Sequence, residues 1–157
     1  MKKYLYYVNQ EKNMIMNKEL QLRFMKGVDD QLTSPILPDG LKNYLIDIDG
    51  TITDDVPNEE PDRMRQVLPF PDALEILNKW YDEGHIITFF TSRTEEHREI
   101  TETWLDKHGF KYHGLLMGKP RGGQYHWIDN HVVKATRFDG VWSDLVKEKK
   151  EIEVFKQ

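Results

Sequence analysis

Two aspartates separated by one isoleucine close an apolar run in the segment Leu45-Ile46-Asp47-Ile48-Asp49-Gly50-Thr51-Ile52-Thr53. Ionised groups beside a core are costly unless a metal, a partner or a raised pKa compensates them. Two like charges this close also oppose each other's ionisation unless a cation sits between them. A strand that brings both carboxylates to one point therefore suggests a divalent-metal site working on an anionic substrate. Taken alone, the pair reads equally as a turn after a strand, because Asp and Gly are turn residues. Polar residues at the ends of other apolar runs weigh against that reading. Thr91 and Ser92 follow the run 86–90, Lys119 follows 112–117, and Asp129 and Asn130 follow 125–128.

These clusters can meet only if the intervening elements place them together. Residues 43–49 read as the first core strand. Residues 71–83 read as a helix, with Pro71 in its first turn, Ala73, Leu74, Leu77, Trp80 and Tyr81 at helical spacing, and Gly84 as the stop. The run 86–90, apolar apart from Thr88, has strand length and fits a sheet covered on both faces. Ser92-Arg93-Thr94-Glu95 resembles a capping box, with Thr94 a second N-cap candidate. The helix 95–108 buries Ile100 and Trp104 and ends at Gly109. Further strands are expected over 112–117 and 125–128, near 135–138, and at the edge over 152–155. Strands alternating with helices imply parallel βαβ units, an α/β fold. Right-handed crossovers then gather the C-terminal strand ends on one side, where ligands bind in such sheets.

Residues 1–40 read as an N-terminal arm and 41–157 as the catalytic domain. The arm carries a strand pattern over 4–8 and a helical pattern over 17–30, from Leu20, Phe24, Met25 and Val28. Asn17 is its candidate N-cap and Gly27 a candidate stop, before a turn-rich lead-in through Pro35, Pro38 and Gly40. The stretch 54–71 holds Pro57, Pro61, Pro69 and Pro71, which argues against regular structure. A loop of that length is either functional or a solvated spacer.

The chain of 157 residues is 38% apolar and 31% charged, as in a globular protein with a real core. Its net charge of −5 weighs against a nucleic-acid partner, which usually meets a basic surface. The sequence has no cysteine, which excludes disulfides, thiolate metal sites and a thiol nucleophile. His113, His126 and His131 lack zinc-ligand spacing. No run approaches the length of a membrane span, and Asn9, Gln10, Glu11 and Lys12 interrupt any signal core. A cytoplasmic protein is expected, with no membrane contact.

Together the four clusters resemble the haloacid dehalogenase superfamily of phosphohydrolases, over roughly 43–140. Asp47-Ile48-Asp49-Gly50-Thr51 matches DxDGT, Thr91 the second-motif Ser/Thr, Lys119 the third-motif lysine and Asp129 the fourth-motif acid. Asn130 departs from the pattern, since many small relatives carry a second Asp there. The resemblance implies a three-layer Rossmann-like fold around a mostly parallel sheet, and catalysis by Asp47, Asp49, Thr91 and Lys119. Asp47 would be the nucleophile forming an aspartyl-phosphate. Asp49 would protonate the leaving oxygen and later deprotonate water. Thr91 would hydrogen-bond a phosphoryl oxygen and Lys119 would neutralise its charge. Gly50, Thr51, Ser92 and Arg93 are the candidate substrate-binding residues, although Arg93 could equally be simply exposed. Mg²⁺ would be held by Asp47, Asp49 through its backbone carbonyl, Asp129 and Asn130.

In this superfamily, inserted caps select substrates. Neither 54–69 nor the single helix and strand between Thr91 and Lys119 leaves room for one, so no cap domain is expected. An open site of this kind takes large phosphorylated substrates or borrows a lid from a neighbouring subunit, in a dimer or tetramer. The leading expectation is Mg²⁺-dependent hydrolysis of a phosphomonoester, a sugar phosphate or similar small metabolite. A nucleic-acid 3′-phosphatase is one alternative. A catalytically weak protein that binds or senses a phosphorylated ligand is another.

Overall fold

The computed structural model describes residues 25–26, 32–33, 36–143 and 152–153, with side chains over 36–143. In chain order, β1 is Met25–Lys26, β2 Leu32–Thr33, β3 Asn43–Ile46, α1 Pro61–Gln66, α2 Ala73–Asp82, β4 Ile86–Phe90, α3 Arg98–His108, β5 Gly114–Leu116, β6 Lys134–Ala135 and β7 Ile152–Glu153. A single 3₁₀ turn, Glu95–His97, leads into α3.

The central sheet is parallel, in the order β3-β4-β5. Ile46 is level with Phe89, and Phe89 with Leu115. Four of the five residues of β4 are buried, because this middle strand is covered on both faces. α1 packs on α3, where the Trp104 indole donates to the Val67 carbonyl at 2.7 Å. α2 packs on β4. The core joins Ile46, Ile48, Ile52, Leu77, Phe89, Trp104, Leu105, Phe110 and Leu115. Phe89 meets the Phe110 ring edge-on at 5.9 Å, and Trp104 stacks on Phe110 at 5.6 Å. The fold is α/β and Rossmann-like, and no cap domain interrupts it among the described residues. No described helix is long and apolar enough to cross a membrane.

Four expectations are corrected. The helix over 17–30 does not run through its C-terminal part, because Met25–Lys26 pairs antiparallel with Leu32–Thr33. The rest of that pattern, the strand over 4–8 and most of the arm lie outside the described residues. The proline-rich stretch contains α1, since Pro61 occupies the first helical turn, where its missing donor costs nothing, and Met64 anchors the helix by full burial. The strand over 125–128 is not formed. Tyr125, Trp127 and Ile128 are 67%, 51% and 86% exposed, so no burial offsets the cost of ordering them in a ladder. The strand near 135–138 shortens to β6, which pairs antiparallel with β7.

His113 precedes β5 and is locked to β4: its Nδ1 accepts from the Ile87 N–H at 3.1 Å, and its ring stacks on Tyr81 at 4.5 Å. Burial pushes its pKa down to about 4. The folded chain thus resists a proton that the unfolded chain accepts below its ordinary value of 6.5. The associated stability is present above pH ~6.5 and is lost as the pH falls from there toward ~4, by on the order of 2 kcal/mol after solvent screening. His113→Asn keeps an acceptor for Ile87 without a titrating ring. Urea denaturation between pH 7 and pH 4 should therefore show a shallower fall in midpoint for the variant than for wild type.

Candidate active site

The site is built on the turn that follows β3. Ile48 and Ile52 are fully buried and pin that turn to the core, which leaves Asp47 and Asp49 to face the strand ends. Gly50 takes φ +78°, a left-handed conformation that glycine adopts without strain. The turn is closed by Gly50 N–H to Thr53 O at 2.9 Å and Ile52 N–H to Ile48 O at 2.9 Å. Three outside contacts hold it: the Thr53 hydroxyl donates to Leu68 O at 2.8 Å, the Phe70 N–H to Ile52 O at 2.8 Å, and the Trp142 indole to Thr51 O at 2.7 Å.

Each aspartate meets its own cation. Lys119 Nζ donates to Asp47 Oδ1 at 2.5 Å, and the Thr51 hydroxyl donates to Asp47 Oδ2 at 3.0 Å. Lys119 Nζ also lies 5.6 Å from the Phe90 ring centroid and 5.4 Å from that of Tyr125. Arg93 forks onto Asp49: Nε donates to Oδ2 at 2.9 Å and an Nη to Oδ1 at 2.7 Å. Arg93 is 1% exposed.

Backbone hydrogen bonds join the segments after β4 and β5. Thr91 N–H donates to Leu116 O, Lys119 N–H to Thr91 O and Gly118 N–H to Arg93 O, at 2.8–2.9 Å. The position of Lys119 is therefore fixed by the main chain as well as by its ion pair.

A cleft of about 280 Å³ opens over these groups, lined by Asp47, Asp49, Asp55, Val56, Asn58, Ser92, Arg93, Lys119, Arg121 and Tyr125. Of the residues expected from sequence, Asp47, Asp49, Ser92, Arg93 and Lys119 come together there. Gly50 and Thr51 are not among the lining residues. Thr91 is fully buried, and its hydroxyl accepts from the Arg93 N–H at 3.2 Å, so the turn draws it inward and presents Ser92 instead. The expected capping box is not formed. Thr94 is the N-cap of the 3₁₀ turn, and its hydroxyl donates to Glu96. Arg93 is not exposed, and its guanidinium is bonded to Asp49 and Thr101.

Asp129 and Asn130 do not line the cleft. Asp129 is exposed and accepts from the Trp127 indole at 3.0 Å and the His131 N–H at 3.1 Å. The Trp127 indole, foremost, holds its carboxyl below the ordinary range. Among the described residues, no three His, Cys, Asp or Glu side chains gather into a metal-holding group.

Asp55, Val56, Asn58, Arg121 and Tyr125 were not foreseen from sequence. Arg121 stands two residues beyond Lys119, a proximity that could have marked it. Asn58 had no local signal, because its partners are 34 and 36 residues away. Its side chain donates to Ser92 O and accepts from the Thr94 N–H, each at 3.2 Å, and so ties the loop after the aspartates to the turn after β4. Asn58→Ala should cost about 1 kcal/mol, or about 2–4 °C in Tm, with faster hydrogen exchange at the Thr94 amide. Calorimetry and amide exchange check this.

The family model described as "PITM 1-3, LNS2 domain" matches residues 44–150. A Bacillus cereus protein named "Putative nucleotidase" is 44% identical over 45 residues, 29% of this chain and 24% of that protein. The chain thus spans about a quarter of the length of this curated relative. A crystal structure of a Vibrio cholerae protein is 31% identical, covering 57% of this chain and 80% of that one, with a TM-score of 0.44. The structure of the Pnkp1/Rnl/Hen1 complex is similar at 26% identity, over 57% of this chain and 32% of that one, with a TM-score of 0.45. With more than half of its length matched by the family model, and with the parallel sheet and aspartate turn described above, the chain belongs to the LNS2 domain family, within the haloacid-dehalogenase-like phosphatases.

Proposed function

We propose that the chain hydrolyses phosphomonoesters through an aspartyl-phosphate on Asp47, with Mg²⁺ as cofactor. The observation that carries this reading is the cleft in which the Asp47 carboxylate is paired to Lys119 while Asp49, two residues on, is held by a separate cation.

Asp47 attacks phosphorus as the ester P–O bond breaks, and Asp49 gives a proton to the departing oxygen. In the second half, Asp49 takes a proton from water as the water oxygen attacks the phosphoryl group, which releases Asp47 and inorganic phosphate. Lys119 lies against the nucleophile and balances the charge of the arriving phosphoryl oxygens, a role in which preset electrostatics matter most. Arg121 adds a second cation at the rim, and Ser92 a hydroxyl.

For Mg²⁺ the donor set fits in part. This ion takes one or two carboxylates and completes its shell with substrate phosphate and water. Asp47, with the backbone carbonyl of Asp49, would hold it and supply charge neutralisation at the phosphoryl group. Asp129 and Asn130, the other proposed ligands, stand outside the cleft in this geometry.

A small phosphorylated metabolite, a sugar phosphate foremost, suits a cleft of about 280 Å³. The relative named as a nucleotidase supports including nucleotides in that class. A second reading, binding of a phosphorylated ligand without turnover, is favoured by the one observation that Asp129 is absent from the cleft.

The test is a panel of sugar phosphates, other alkyl phosphates, nucleotides, 3′-phosphorylated oligonucleotides and p-nitrophenyl phosphate, run with Mg²⁺ and with chelator. Turnover by wild type in Mg²⁺ is expected, with a loss of about 10³-fold or more in Asp47→Asn and about 10²–10³-fold in Lys119→Ala. Equal rates in wild type and Asp47→Asn would refute the nucleophile. Ligand binding with no turnover across the panel would establish the second reading.

A further inference from the structure

A buried arginine in a phosphate-binding cleft invites the reading that it binds phosphate. The hydrogen bonds of Arg93 point to another role. All three guanidinium nitrogens are engaged inside the protein: Nε and one Nη on the two oxygens of Asp49, at 2.9 and 2.7 Å, and the other Nη on the Thr101 hydroxyl at 3.1 Å. Thr101 is itself fully buried in α3, and its hydroxyl donates to His97 O at 2.8 Å. Asp49 is thus connected through Arg93 to the first turn of α3 by side chains that solvent hardly reaches.

We propose that Arg93 is the positioning residue of the acid–base step, fixing the plane and direction of the Asp49 carboxylate while touching no part of the substrate. A carboxylate has about four lone-pair sites, and the guanidinium fork takes two of them in one plane. The proton delivered to the departing ester oxygen, and the one later taken from water, must pass through the sites that remain. The fork therefore selects which edge of Asp49 meets the reacting oxygen. Lysine cannot replace it, because an ammonium is a point donor without a planar fork.

This inference rests on the phosphatase reading, and its test separates the two. A departing alkoxide needs its proton, whereas p-nitrophenolate leaves nearly unaided. The measurement is kcat/KM, which reports events up to leaving-group departure, for the alkyl phosphates of the panel and for p-nitrophenyl phosphate. Arg93→Lys is expected to lose about 10²-fold on the alkyl esters and no more than about tenfold on p-nitrophenyl phosphate, with KM within about twofold. Thr101→Val leaves Arg93 and its charge in place and removes only the rear anchor. It should show the same leaving-group dependence at smaller amplitude, and it keeps the test open if Arg93→Lys does not fold, as judged by circular dichroism. Equal losses on both ester classes would reduce Arg93 to a structural residue and overturn the proposal. A rise in KM with kcat intact would make it a substrate ligand and overturn it as well. A wild-type protein that turns over none of the panel removes the phosphatase reading and this role with it.

Discussion

Two carboxylates two residues apart repel each other, and the fold must supply each with its own counter-charge. Asp47 receives Lys119 from 72 residues away, and Asp49 receives Arg93 from 44 residues away. Neither pairing is local, so neither can form until the parallel strands are in register. Arg93 is 1% exposed and the Asp49 side chain 13%, so loss of Asp49 strands the arginine's charge where water hardly reaches it. Such a loss typically costs about 3–5 kcal/mol. The Asp47–Lys119 pair is less enclosed, with the aspartate side chain 35% exposed, which suits the role we propose for Asp47.

The sheet satisfies this constraint with few parts. β3, β4 and β5 are adjacent and parallel, so the residues after them emerge side by side. The main-chain bonds among Thr91, Arg93, Leu116, Gly118 and Lys119 then make the two cation-bearing segments one unit. Gly118 takes φ +72° at the bend between Met117 and Lys119, where a side chain would be strained. Displacing Arg93 would pull on the carbonyl that holds Gly118, and hence on Lys119. The two carboxylates are coupled through their counter-ions as well as through the chain between them.

Much of this was legible in the sequence for a physical reason. The middle strand, Ile86–Phe90, is covered on both faces and is apolar at every position but Thr88. α2 is amphipathic and ends before Gly84, and α3 ends at Gly109 in the left-handed conformation. Burial and backbone sterics write such patterns directly into residue order. The Thr91 hydroxyl and the Arg93 guanidinium were not legible in the same way, since the direction of a side chain at a strand end depends on a partner dozens of residues away. The strand over 125–128 misled for a related reason. Its apolar residues promise burial, but burial needs a surface to cover them, and in the structure they remain exposed. Pro61 misled in the opposite direction: proline breaks a helix interior but suits a helix start, and composition does not separate the two positions.

The same division runs through the cleft. Its charged groups sit on segments tied to the core by buried isoleucines, a bidentate ion pair and main-chain bonds. The rim has a different construction. One bank, with Asp55, Val56 and Asn58, is a loop that buries Val56 and is clasped to the turn after β4 by the Asn58 carboxamide. The other, with Arg121 and Tyr125, has no regular structure, and its visible anchor is the Tyr125 hydroxyl on Pro120 O at 2.8 Å. Segments like the second bank, held by few hydrogen bonds, open at low free-energy cost compared with a packed sheet. They can accept substitutions that leave Asp47, Asp49, Lys119 and Arg93 in place. A constellation fixed by the sheet, beside a rim with one loosely held bank, is an arrangement in which the rim can change while the constellation stays the same.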